Sequence, residues 1–175
     1  MGNRATVIFT DDKSQHSPAV YLHWNGGPES VYGFLEELDR RDVRADQEYE
    51  CARFIQLVGE FFNQDNEEGL SLGVANATPT TPGALTLRCL ENVPTDHGDN
   101  GFYLVNRTST PMHVRRIVQT YDAKSNSASL KEMSELEVKR EKKQADKHEY
   151  RAAFRTVFAE ISKQRLAKKK QETQA

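Results

Sequence analysis

Apolar residues fall along this chain in recognisable periods. Val20-Tyr21-Leu22-His23-Trp24 is a short run that ends in Asn25-Gly26-Gly27-Pro28. Behind it, Val31, Phe34, Leu35 and Leu38 recur at the spacing of one helical face. Cys51, Phe54, Ile55, Val58 and Phe61/Phe62 do so again. The pattern predicts a strand, a glycine turn and two amphipathic helices, which together supply most of a small core.

The remaining segments are strands that need such cover. Arg4–Thr10 alternates in part, and the polar stretch from Asp11 to Pro18 is too short for a helical crossover, so the first two strands are expected to form an antiparallel hairpin. Pro28 suits a first helical turn, and the helix runs to about Arg41. Asp42–Ala45 breaks it, and Asp46 is a cap for the second helix, which ends near Asn63. Leu70, Leu72 and Val74 alternate as a third strand, and Leu85–Leu90 is a candidate fourth. Two prolines within Asn76–Gly83 leave that stretch irregular. Phe102–Asn106 and Met112–Val118 flank a turn at Arg107–Pro111 and form the clearest hairpin.

From Leu130 the chain is almost free of Gly and Pro, with Ser125–Ser129 as a possible helix cap. The pattern predicts two helical segments or one projecting helix, with Lys139–Glu149 facing water. Phe154, Val157, Phe158 and Ile161 should pack on the sheet or on a partner. A one-sided apolar stripe of that kind also suits a homodimer. The expected fold is a one-domain α+β protein: a mainly antiparallel sheet covered by two helices, with a long C-terminal helix. Residues 1–127 form the body and residues 128–175 a charged helical segment that packs on the body or a second subunit.

Charge changes this picture. A formal net charge of −2 hides a division. Residues 131–175 carry thirteen Lys/Arg against eight Asp/Glu, while residues 1–130 carry eleven against eighteen. Glu29–Glu68 holds twelve acids and four arginines. Glu29, Glu36, Glu37, Asp39 and Glu48 are expected on the solvent face of the paired helices, where such a field attracts a basic protein surface. A merely solvated helical face is the plainer reading of the same acids. The acidic body argues against a nucleic-acid site there and leaves the basic tail as a candidate.

Candidate chemistry is sparse. His23 stands at a strand end beside Trp24, and Asn25, Gly26 and Gly27 open a helix N-terminus whose N–H groups suit an anion. One glycine pair without a following Lys-Ser/Thr is no phosphate loop, so a tight structural turn is the competing reading. If sheet ends brought His23, His97 and His113 together with Asp96 or Asp99, they would compose a hydrolytic site. Their spacing does not require it, and neither a metal nor a cofactor is expected. Cys51 lies in an apolar stripe and reads as core. Arg115 and Arg116 place one guanidinium on each face of a strand. No apolar run approaches the roughly 20 residues of a membrane span. Met1-Gly2-Asn3-Arg4 has no apolar core behind it, which predicts no signal peptide and a cytoplasmic protein. Gly2 with Thr6 meets the short myristoylation pattern, but nothing nearby supports anchoring.

Met1-Gly2-Asn3-Arg4-Ala5 followed by Tyr21-Leu22-His23-Trp24-Asn25-Gly26-Gly27 resembles a group of small accessory proteins carried by phages, prophages and plasmids. The likeness covers about the first 40 residues and assigns no catalytic residue. It implies an accessory gene of mobile DNA, where small acidic inhibitors of host defence are common. The expected function is a non-enzymatic protein-interaction module, in the form of such an inhibitor. The alternatives are a small metal-dependent or anion-binding hydrolase centred on His23, and a nucleic-acid binder using the basic C-terminal helix.

Overall fold

The computed structural model describes residues 3–11, 15–63, 72–75, 85–93 and 99–174. Strands β1 (Ala5–Thr10) and β2 (Ala19–Leu22) form the expected hairpin, and helices α1 (Pro28–Arg40) and α2 (Gln47–Phe62) follow. Then come β3 (Leu72–Ala75), a short helix α3 (Leu87–Glu91), and strands β4 (Phe102–Asn106), β5 (His113–Asp122) and β6 (Ser127–Glu132). Helices α4 (Glu135–Ala145) and α5 (Glu149–Gln174) end the chain. The six strands lie in the order β3-β2-β1-β4-β5-β6. Every pairing is antiparallel except β1 with β4 at the centre. The fold is thus α+β, with a mainly antiparallel sheet flanked by helices and a long C-terminal helix. None of the helices is long and apolar enough to cross a membrane among the described residues.

Burial on both faces explains the central strands. Ala5, Val7 and Phe9 of β1 join Tyr103 and Val105 of β4 under α1 and α2. The alternate residues, Ile8, Phe102 and Leu104, meet Leu85, Leu90 and Val93 on the opposite face. Strands sealed on two sides lose the apolar–polar alternation of a half-wet sheet. The second cover corrects one expectation, for Leu85–Leu90 forms no fourth strand. Thr86 caps α3 by accepting the Cys89 N–H, and Leu90 is buried on the helix. Leu85, Leu87 and Cys89 alternate as a strand would, and only packing against the sheet decides for the helix.

Two further expectations give way. Ser125 and Asn126 belong to the β5–β6 turn, where Asn126 adopts φ +50°, and they cap no helix. The cap lies later, at Ser134, whose hydroxyl accepts the Glu137 N–H and whose own N–H donates to the Glu137 carboxylate in return. Sheet structure therefore continues to Glu132. The following chain is two helices, and their junction does not simply face water: Ala145 is buried and Glu141 bonds a core arginine.

That arginine, Arg116, is only 1% exposed. Its guanidinium lies 3.6 Å from the Tyr103 ring centroid, donates to the Phe102 carbonyl at 2.7 Å and pairs with Glu141 at 2.8 Å. Tyr32 of α1 donates to the same carboxylate at 3.1 Å. Burial, with Glu141 beside it, holds the Tyr32 hydroxyl well above its ordinary range. One buried cation thus fixes α4 to both the sheet and α1. Arg115, on the other face, pairs with Glu132.

α5 packs on the helices and not on the sheet. Phe34 of α1 meets Phe54, Phe61, Phe154 and Phe158, and Phe61 stacks on Phe154 at 4.2 Å. The apolar stripe of α5 is therefore covered within the chain. Gly33 makes the close approach possible, since a Cβ there would stand 2.7 Å from the Phe154 ring and 2.8 Å from the Arg151 guanidinium. Phe34→Ala should lower the unfolding free energy by about 3–5 kcal/mol. Gly33→Ala should also destabilise, although the same change in a free helix adds roughly 0.5–1 kcal/mol. Urea denaturation of both variants measures this, and a stabilised Gly33→Ala would show that α5 does not seat there.

Candidate anion-binding site

Most acids of the paired helices are spent inside the molecule. Glu37, expected in solvent, is 5% exposed. Arg40 grips both of its oxygens at 2.6 Å, and Arg41 adds a bond at 2.7 Å. Burial pushes the Glu37 carboxyl up, but the two guanidiniums more than offset it and hold it below the ordinary carboxylate range. The physical reason for the correction is that α1 is roofed by α5, so no wide solvent face is left. Glu36 is exposed but pairs with Arg151 and Arg155 of α5. Asp39 takes a bond from Arg107 at 2.7 Å, and the same guanidinium reaches buried Glu50 at 2.8 Å. Glu60 pairs with Arg41 and with Arg165. Of the five acids expected as a partner surface, Glu48 is exposed, while Glu29 folds its carboxylate against Gly27.

The histidine and aspartate candidates do not assemble. Asp96 and His97 lie outside the described residues. His113 pairs with Asn106 at the end of the sheet where β1 finishes, whereas His23 follows Leu22, the partner of Ala5. Six strand positions separate the two histidines along the sheet, about 20 Å at 3.3 Å per residue. Asp99 is clasped by the Arg4 guanidinium at 2.9 and 3.2 Å, and this lowers its carboxyl. Among the described residues no three His, Cys, Asp or Glu side chains are grouped to hold a metal. The His23 ring bonds the Tyr21 hydroxyl at 3.0 Å and sits edge-on to Trp24.

The glycine turn is closely built. Asn25 takes φ +57°, and the Gly26 N–H donates to the Asn3 carbonyl at 2.7 Å. A Cβ on Gly26 would lie 2.5 Å from the Ala5 nitrogen, so only glycine fits under the first strand. Its carbonyl receives the Tyr103 hydroxyl at 3.1 Å. The Gly26 N–H is engaged, Pro28 has none, and the Glu29 carboxylate lies against Gly27, so an anion at this turn would meet a like charge.

A different cationic site is built where α1 turns into α2. A hollow of about 440 Å³ opens there, lined by Leu38, Val43 and Leu57 at its apolar base. Arg41, Arg44, Arg53 and Arg165 surround it, with Asp42 as the one carboxylate on its wall. Three of the four arginines of the acidic stretch therefore converge on one place, and α5 contributes the fourth. Tyr49 holds the centre, with the Arg44 and Arg53 guanidiniums 5.0 and 4.9 Å from its ring centroid. Among the described residues Arg53 bonds neutral groups, the Gln56 side chain at 2.6 Å and the Tyr49 hydroxyl at 2.7 Å. Arg44 is largely exposed, and its nearest carboxylate oxygen, on Asp46, stands at 3.6 Å. Arg41 is held in place by Glu37 and Glu60, and its Nη2 has no hydrogen-bond partner among the described residues. In the sequence Arg41 marks the end of the first helix, and Arg44, Arg53 and Arg165 stand apart from it and from one another. The available signal was Tyr49 and Arg53 one helical turn apart, close behind Arg41 and Arg44.

The Glu50–Arg107 pair gives a pH signature. Burial raises the Glu50 carboxyl from 4.5 to about 7, and Arg107 offsets only part of that rise. Between these values the folded chain keeps a proton that the unfolded chain has lost, so this group's contribution to stability falls as pH rises. Melting temperatures from pH 4.5 to 8 should fall more steeply for the natural chain than for Glu50→Gln. Parallel curves would show that Glu50 titrates normally. Compared with known proteins, the chain matches no family model, no curated protein and no solved structure.

Proposed function

We propose that this chain is a non-enzymatic interaction module that holds an anionic partner in the hollow between α1 and α2. The observation that carries the reading is the convergence of Arg41, Arg44, Arg53 and Arg165 around one concavity. Guanidinium groups present paired N–H donors that match carboxylate or phosphate oxygens, and they lose little freedom in doing so. Arg44 and Arg53 have donors to spare, and Tyr49 gives the hollow a flat aromatic wall. The acids first expected to attract a basic partner support that role less well, because most of them already neutralise this chain's own arginines. An inhibitor encoded by mobile DNA would act by occupancy, and a binding surface of this kind suits such a role. The hydrolase reading draws no comparable support from His23, which is engaged by Tyr21 and Trp24.

Tripolyphosphate is a suitable probe, since it carries dense charge without a base or peptide. Calorimetry should give saturable binding that weakens with added salt. Arg44→Glu combined with Arg53→Glu should weaken it at least about tenfold, the value of one charge-assisted bond at roughly 1.5 kcal/mol. Both side chains are exposed, so the melting temperature should stay unchanged. Glu48→Lys, outside the hollow's lining, should not weaken the binding. Binding indifferent to the arginine pair would overturn the reading.

A further inference from the structure

We infer that the anionic partner is a single-stranded nucleic acid, which runs from the hollow along the exposed end of α5. This rests on the reading of the hollow as an anion site and adds the class of ligand. The observations come from a different element. α5 is 26 residues long, about 39 Å at 1.5 Å per residue, and its packing ends well before its last turns. Arg151, Phe154, Phe158 and Ile161 are buried against the body, and Arg165 reaches Glu60 at the hollow's rim. Every described residue from Lys163 to Thr173 is exposed.

Helical spacing sets what continues the buried stripe. Residues three and four apart share a face, so the row Phe154, Phe158, Ile161, Arg165 passes on to Lys168 and Lys169. The face that packs on α1 and α2 therefore turns cationic where it leaves them. From Lys163 to Lys170 the helix carries five cations and no acid. Lys168 and Lys169 continue the row beyond Arg165, and no carboxylate stands within ion-pair distance of Lys168, Lys169 or Lys170 among the described residues. A hollow with a linear cationic extension suits a flexible polyanion better than a compact anion.

The aromatic wall favours a nucleic acid over an acidic peptide. Single-strand binders combine a positive track for phosphates with aromatic and guanidinium planes on which bases stack. Tyr49 is 38% exposed, and it has two guanidiniums beside its ring. The hollow, at about 440 Å³, is within the range of pockets that hold one small organic group. It would take one base with its phosphate, while Lys168 and Lys169 neutralise the phosphates that follow.

The test uses the full chain and a fluorescent oligothymidylate of about ten nucleotides, a usual footprint for such binders. Anisotropy should show binding that weakens steeply with salt. Lys168→Glu with Lys169→Glu should weaken it at least about tenfold, from loss and reversal of two phosphate contacts, while tripolyphosphate binding at the hollow changes less than about twofold. Tyr49→Phe should retain oligonucleotide binding and Tyr49→Ala should weaken it at least about fivefold, as loss of one stacked base would. An oligoglutamate of equal charge should bind more weakly. Equal or tighter oligoglutamate binding would overturn the inference in favour of an acidic protein partner. So would oligonucleotide binding that ignores Lys168, Lys169 and Tyr49. In either case, tripolyphosphate binding that depends on Arg44 and Arg53 would leave the anion site standing. Loss of that dependence would remove both.

Discussion

α1 is enclosed from two directions, by the sheet beneath and by α5 above, and most of the arrangement answers to that enclosure. A helix in this position needs apolar residues around more of its circumference than an ordinary surface helix. α1 buries Val31, Leu35 and Leu38 in the core shared with the sheet, turns Phe34 toward α2 and α5, and carries Glu36 and Glu37 where the roof comes down. A carboxylate brought under a helix loses water and must find a cation. Arg40 and Arg41 follow within one turn, and α5 brings Arg151 and Arg155. Three cations of the basic segment, Arg151, Arg155 and Arg165, are thus paired with acids of the body. Such pairs add little net stability, since desolvation cancels most of the attraction, but removing one partner leaves an uncompensated charge. Their role is to fix how α5 lies.

The hollow follows from the same geometry. Glu37 and Glu60 consume one edge of Arg41 and orient it, and Glu60 also holds Arg165 across the rim. Two of the carboxylates of the acidic stretch thus hold arginines of the hollow in place. Arg44 and Arg53, outside that network, keep donors available.

Local periodicity made much of the fold legible. The two helices, their break at Asp42–Ala45 and the Asp46 cap all appear in the structure, as do the first hairpin and the β4–β5 hairpin. Each rests on residues within a turn or two of one another. The misread elements depended on distant cover. Leu85–Leu90 was ambiguous between periods until the opposite sheet face chose a helix. Ser125 serves a turn, and Ser127 and Ser129 a strand, because β6 has β5 to pair with. The hollow was least legible of all, because Arg41, Arg44 and Arg53 acquire a common site only when Arg165 arrives from the far end of the chain. A count of charges by segment sees an acidic stretch there and cannot see which of its acids are already taken.

The parallel pairing of β1 with β4 has a consequence for how the chain assembles. Thr6 stands beside Phe102, so the two innermost strands of the sheet meet only after nearly a hundred intervening residues have been drawn in. Closing so long a loop carries an entropic cost before any contact repays it, and domains dominated by such pairings fold slowly. Phe34 waits longer still, because the rings that complete its cover lie at positions 154 and 158. On a ribosome, which delivers about 5–20 residues per second, the β1–β2 hairpin and α1 emerge many seconds before α5 can close over them. Until then the flank of α1 that carries Phe34 is open to water, and the rings that will cover it have yet to be made.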